Sequence, residues 1–109
     1  MIPYEDFAKV EIRAGKILSA EKIAETDKLL KLSVDFAEAG PRQIVSGIAL
    51  HFPDASMLVG RTAMFVTNLA PRTIRGFESN GMLLAVSTDD GKFSLLEPSH
   101  DIPAGTKAR

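Results

Sequence analysis

The stretch "LLKLSVDF", Leu29 to Phe36, decides the fold. Leu30, Leu32, Val34 and Phe36 alternate with Lys31, Ser33 and Asp35, the period of two that sets one strand face on a core and the other towards water. Working outward, Gly40-Pro41 in "AEAGPR" (Ala37 to Arg42) supplies a turn, and "QIVSGIAL" (Gln43 to Leu50) returns as the next strand. Upstream, "AKVEIRAGKILSAEKI" (Ala8 to Ile23) alternates Val10, Ile12 and, past Gly15, Ile17. A glycine inside a long strand commonly marks a bulge or a sharp bend, as the corners of a small barrel require.

Downstream, "HFPDASMLVGRT" (His51 to Thr62) breaks the strand pattern, with Pro53-Asp54 at its opening, an apolar turn at Met57 to Val59, and Gly60 as a stop. It reads as a short helix. "RTAMFVTNL" (Arg61 to Leu69) and "GMLLAVS" (Gly81 to Ser87) follow as core strands, Leu83 to Val86 included, and "KFSLLEP" (Lys92 to Pro98) as a shorter one after the Asp90-Gly91 turn. The connections are too short for the crossovers of a parallel sheet. The expected fold is all-β, a five-stranded OB-fold barrel with a short helix between strands 3 and 4. An SH3-like barrel accounts for that helix less well. The ends, about Met1 to Phe7 and Phe93 to Arg109, carry Ile2, Phe7, Leu95, Leu96 and Ile102, which need a partner; a second copy of the chain is the expected one.

A chain of 109 residues, 45% hydrophobic and 25% charged, is expected to form a single folded domain spanning residues 1–109. No apolar run approaches the roughly 20 residues of a membrane helix, and the acidic start "MIPYEDFAKVE" is not a secretory signal. The absence of cysteine rules out disulfides and thiolate metal sites and suits a cytoplasmic protein. Net charge is −1, yet unevenly spread. From Phe36 to Gly76, Arg42, Arg61, Arg72 and Arg75 face only Glu38 and Asp54, whereas Phe77 to Asp101 carries five acids against Lys92. A folded chain can thus present a basic face and an acidic one, or simply spread its charge for solubility.

Catalytic groupings are poor. His51 and His100 have no metal-ligand spacing, Ser46 in "IVSGIA" lacks the G-x-S-x-G setting, and no glycine-rich phosphate loop occurs. Asp89-Asp90 before Gly91 reads as a turn. The residues point to no enzyme, no cofactor and no metal. For binding, Lys28 and Lys31 lead into the second strand, Arg42 starts the third, and Arg72 and Arg75 lie in the loop before the fifth with Ser79 and Met82 at its corner. Each has a plainer reading as solvated charge, turn or core. With one Tyr and no Trp, stacked single-strand binding is disfavoured against recognition of folded RNA by shape.

Six stretches carry a family resemblance: "DFAKVEIRAGKI", "DKLLKLSVDF", "RQIVSGIA", "LVGR", "NLAPRTIRGFESNGMLLA" and "IPAGTK". Together they resemble the tRNA-binding domain of the EMAP-II type, found at the C-terminus of methionyl-tRNA synthetases, as free-standing tRNA-binding proteins, and more distantly in CsaA chaperones. The resemblance implies an OB-fold barrel, homodimerised through the segments outside it, that binds folded tRNA without catalysis, alone or as an accessory of an aminoacyl-tRNA synthetase. The tRNA-binding positions it implies are Lys28, Arg42, Ser46, Asn68, Arg72, Arg75, Ser79 and Met82, and Lys31 joins them from its place on the second strand. A CsaA-like chaperone for unfolded polypeptide is the alternative, disfavoured because this chain keeps Ser46-Gly47 and Gly81-Met82. Ala70 and Thr73 stand where many members place lysines, and "IAETDK" keeps only Asp27-Lys28 of the commoner loop. A chain from Met1 to Arg109 fits a free-standing protein; a synthetase fragment would look the same.

Overall fold

The computed structural model describes residues 1–109. A short helix α1 (Tyr4–Phe7) is followed by β1 (Ile12–Lys22), β2 (Leu30–Asp35), β3 (Arg42–Ser46), two 3₁₀ turns (Ala49–His51 and Ala55–Leu58) and β4 (Thr62–Val66). Then come β5 (Arg72–Ile74), β6 (Phe77–Ser79), β7 (Met82–Leu83), β8 (Ala85–Ser87) and β9 (Phe93–Leu95). Five of these strands form one antiparallel sheet in the order β3-β2-β1-β4-β7.

The alternation in β2 has the expected result. Leu30, Leu32 and Val34 are buried, Lys31, Ser33 and Asp35 are not, and Phe36 just beyond meets Phe65 of β4 edge-to-face with ring centroids 5.3 Å apart. Aromatic pairs favour this geometry. Ile17, Ile44 and Leu58 complete the centre of the core. The sheet curls until its edges β3 and β7 approach. Three hydrogen bonds from β3 reach the residues just before β7: Asn80 N–H to the Gln43 carbonyl (2.9 Å), Val45 N–H to Ser79 Oγ (3.0 Å), and Gln43 Nε2 to the Glu78 carbonyl (2.9 Å). The result is a nearly closed antiparallel barrel.

Gly15 is not the bulge. A Cβ there would lie 2.5 Å from Phe36 Cε1 and 2.6 Å from Val34 Cγ1, so glycine is needed for the close approach of that ring. The register instead slips between Ile17 and Ser19, leaving Leu18 unpaired and exposed. The helix expected over His51 to Thr62 lies between β3 and β4 but is only 3₁₀ in character, four residues being too few for a regular α-helix. The Asp54 carboxylate caps it, accepting from Ser56 N–H (3.1 Å), and Gly60 stops it with a φ of +87°.

The last core strand is shorter than expected. Leu84 N–H reaches the Met64 carbonyl (3.0 Å), but Met64 N–H turns to the Leu96 carbonyl (2.9 Å), so Leu96 takes over the edge of β4. The chain therefore leaves the sheet, and β8 pairs with β9 outside it; Val86 is 58% exposed, not core. Leu95, expected to seek a partner, is buried in this chain's own core, whereas Ile2 and Phe7 lie open. Part of the C-terminal segment also folds back onto the barrel. Thr106 and Gly105 pair with Ala14 (2.8 and 2.7 Å) and Ala108 N–H with the Ile12 carbonyl (2.7 Å), covering the start of β1. No helix is long and apolar enough to cross a membrane.

Candidate nucleic-acid interface

Between β4 and β7, where the sequence reads as a loop, the chain forms a hairpin. Pairing of Arg72 with Ser79, Thr73 with Glu78 and Ile74 with Phe77 leaves Arg75-Gly76 as a two-residue turn. Both turn residues have positive φ, +52° and +84°, the geometry whose twist matches that of antiparallel strands. Arg75 is thus held in a region that side chains rarely adopt, with its guanidinium exposed at the tip.

The hairpin is fastened to the barrel wall. Lys31 Nζ sits 4.9 Å above the Phe77 ring, and the Gln43 and Ser79 contacts already described tie β6 to β3. Three depressions surround it. Lys28 and Arg75 flank a cleft with Glu25 and Asp27; Lys31 and Arg42 line a polar groove over β1 to β3; and Leu69, Arg72, Ile74 and Met82 line an apolar pocket. Lys28, Lys31, Arg72, Arg75, Ser79 and Met82 are thereby gathered around one hairpin.

The expected site residues are not in equivalent positions. Lys28, Arg72 and Arg75 are exposed and Lys31 half-buried; none of the four side chains hydrogen-bonds within the chain or lies within 4.0 Å of a carboxylate. Met82 is 45% exposed. Ser46 is half-buried at the end of β3 beside Leu30, and its hydroxyl makes no bond within the chain. Ser79, by contrast, is buried, its oxygen accepting from Val45 N–H (3.0 Å) and its hydroxyl donating to the Gly81 carbonyl (3.2 Å). Asn68 accepts from Glu11 N–H (2.8 Å) and donates to the Lys9 carbonyl (2.6 Å), stapling the N-terminal segment to the end of β4.

Arg42 is the most engaged. Its Nε and Nη2 fork onto Glu38 (both 2.8 Å), while Nη1 donates to the carbonyls of Thr67 (2.6 Å) and Asn80 (3.2 Å). Arg13 reaches the same carboxylate (2.9 Å), and both guanidiniums lie over Phe36, 5.3 and 5.4 Å from its centroid. Hydrogen bonds from Arg42 and then Arg13 hold the Glu38 carboxyl down at about 2. Thr67 donates to Glu11 (2.6 Å) and accepts from Arg13 Nε (3.1 Å), which lowers the Glu11 carboxyl as well. Gln43, Phe77 and Glu38 are working parts that residue-by-residue reading passed over. The alternation of Ile74 and Phe77 about Arg75-Gly76 was the signal available for the hairpin. No group of three or more His, Asp or Glu side chains is placed to hold a metal ion.

A nearly closed β-barrel with unpaired cations on a hairpin across its seam defines a small binding module of β-barrel class. The chain belongs to the family described as "Putative tRNA binding domain", whose model matches residues 12–107. A methionine–tRNA ligase of Myxococcus xanthus is 50% identical over 109 residues, covering 99% of this chain but 15% of that protein, so the likeness to the ligase is that of one domain. A structure of a MetRS related protein from Pyrococcus horikoshii superposes with a TM-score of 0.90 at 38% identity, covering 100% of this chain and 98% of that one. The chaperone CsaA of Bacillus anthracis superposes at 0.88 with 29% identity, covering 100% and 99%.

Proposed function

We propose that this chain is a non-catalytic module of OB-fold type that binds folded tRNA in the cytoplasm, chiefly through phosphate contacts and shape. The observation that carries the reading is the set of four cations, Lys28, Lys31, Arg72 and Arg75, grouped around one hairpin with no carboxylate partner. Unpaired cations on a fixed scaffold are free to displace counterions from a phosphate backbone. Arg42, Ser79 and Asn68 act by holding the surface in shape, and Ser46 and Met82 by contact with the RNA. Family membership over residues 12–107 supports tRNA as the polyanion.

The whole chain acts as one unit, as a free-standing protein or as the appendix of a methionyl-tRNA synthetase. Met1, Ile2, Tyr4, Phe7 and Val10 form an exposed apolar N-terminal surface suited to a second copy, and a molecular mass measured in solution tests that dimer. The tRNA reading is tested by a gel shift of mixed folded tRNA across a salt series. Complex at low salt that weakens as salt rises is the expected result; no complex even at about 50 mM salt refutes the reading.

A second reading, a chaperone that holds extended polypeptide, is favoured by the likeness to CsaA and by the exposed Met82 beside an apolar pocket. It requires that an unfolded client compete with tRNA for the protein.

A further inference from the structure

The pocket at the base of the hairpin is mostly apolar, yet Arg72, one of the four unpartnered cations, lines it. Leu69, Ala70, Ile74, Met82 and Val45 supply apolar walls, and Arg72 stands at its rim. It holds about 70 Å³ and is open at its mouth, well short of the roughly 300–1,000 Å³ of clefts that enclose drug-sized ligands, so it has room for one edge or face of a single flat group. We propose that this pocket seats one unpaired nucleobase of the bound RNA, swung out of its stack, with the neighbouring phosphate held by Arg72.

The inference rests on the tRNA reading and deepens it. Three observations favour a base over the apolar side chain of a peptide. The charge on the pocket is cationic: Arg72 is among its lining residues and no acidic residue is. An unpaired base arrives attached to an anion, so charge and apolar face are satisfied together. The exposed surface around the hairpin offers no free aromatic ring, because Phe77 is already covered by Lys31; an apolar slot is the remaining means of gripping a base. The pocket also predicts what is not read. Ser79 is its only side-chain polar group besides Arg72, and its hydroxyl proton is given to the Gly81 carbonyl. Little is left to contact a base edge, so the slot takes any base that is unpaired and accessible.

The test fills the slot. Ala70 is exposed at the pocket wall, and Ala70→Leu places a branched side chain in the space without touching a cation. Affinity for mixed folded tRNA is measured across a salt series for wild type, Ala70→Leu and Arg75→Ala, with thermal melts to establish folding. The expected result is that Ala70→Leu weakens binding roughly tenfold with an unchanged salt slope, whereas Arg75→Ala lowers the slope. Chemical probing of unpaired bases then shows one position protected by wild type and open with Ala70→Leu. Should Ala70→Leu not fold, Leu69→Ala, which removes a wall and adds no bulk, carries the same comparison. Wild type that binds no tRNA overturns the functional reading and this inference with it. Wild type and filled pocket that bind tRNA equally overturn the nucleobase alone. Loss of an unfolded peptide, with tRNA retained, overturns it in favour of a polypeptide slot.

Discussion

Arg42 on the barrel seam and Arg75 at the hairpin tip are the same residue type, and the fold uses them in opposite ways. Around Arg42 four of the five N–H donors are committed, two in a fork onto Glu38 and two to backbone carbonyls, with the Phe36 ring beneath. Around Arg75 nothing is committed, and the backbone is held in a left-handed conformation that presents the side chain to solvent. A guanidinium with most of its donors on a carboxylate and carbonyls has less to offer a phosphate; one without partners carries only counterions to release. Sign of charge marks both residues as binding candidates, and only partners separate them.

The largest expected effect follows from breaking the seam. Arg42→Ala leaves the Thr67 and Asn80 carbonyls and one side of Glu38 without their donor, and is expected to cost roughly 2–3 kcal/mol, allowing for partial exposure. For a chain of this size that lowers the melting temperature by roughly 10–15 °C. A thermal melt checks it. An unchanged melting temperature with lost tRNA binding would put Arg42 in the ligand set instead.

Acid probes the same network. Since the Glu38 carboxyl is depressed from 4.5 to about 2 in the folded chain, its contribution is complete above about pH 4.5 and drains away as pH falls towards 2. Its side chain is 33% exposed, so solvent screening leaves roughly 1–2 kcal/mol at stake. In Glu38→Gln that contribution is absent at every pH, so melting temperatures of the two proteins should converge between pH 4.5 and 2. Parallel curves over that range would remove Glu38 from the seam's energetics.

At the tip the effect moves from stability to binding. Arg75→Gly relieves the left-handed backbone while deleting the charge, so it should melt no lower than wild type yet bind tRNA with a salt slope about 0.9 shallower. Lower stability with unaltered binding would exchange the roles assigned to tip and seam.

Most of the barrel was legible because its strands carry their own signal. In β2 the alternation from Leu30 to Phe36 states both the element and its buried face, and Gly60 after the apolar Met57 to Val59 places the turn between β3 and β4. Closure was not legible, because it depends on which distant groups meet. Nothing local to Ser79 says that its hydroxyl will serve Val45, and nothing local to Asn68 distinguishes an RNA contact from a staple onto Lys9 and Glu11. The hairpin escaped because Arg-Gly is a weaker turn signal than Asn-Gly or Asp-Gly, and a non-glycine residue at positive φ is hard to foresee. Cations could be named from the sequence; whether each was spent required the partners.

The smallest expected effect sharpens that point. The family resemblance implies lysine at the position of Thr73, and Thr73→Lys looks like one more phosphate contact. The register places Thr73 directly opposite Glu78, however, and opposite charges facing each other across antiparallel strands attract. The new lysine would be partly spent on Glu78, as Arg42 is on Glu38. Thr73→Lys alone should therefore steepen the salt slope of tRNA binding by clearly less than the roughly 0.9 of a free contact, and Thr73→Lys with Glu78→Gln should recover the full increment. Salt titrations of the two variants beside Glu78→Gln alone measure the difference. A full increment from the single substitution would mean that Glu78 leaves cations on this face free, and that proximity to an acid does not by itself withdraw a cation from the RNA.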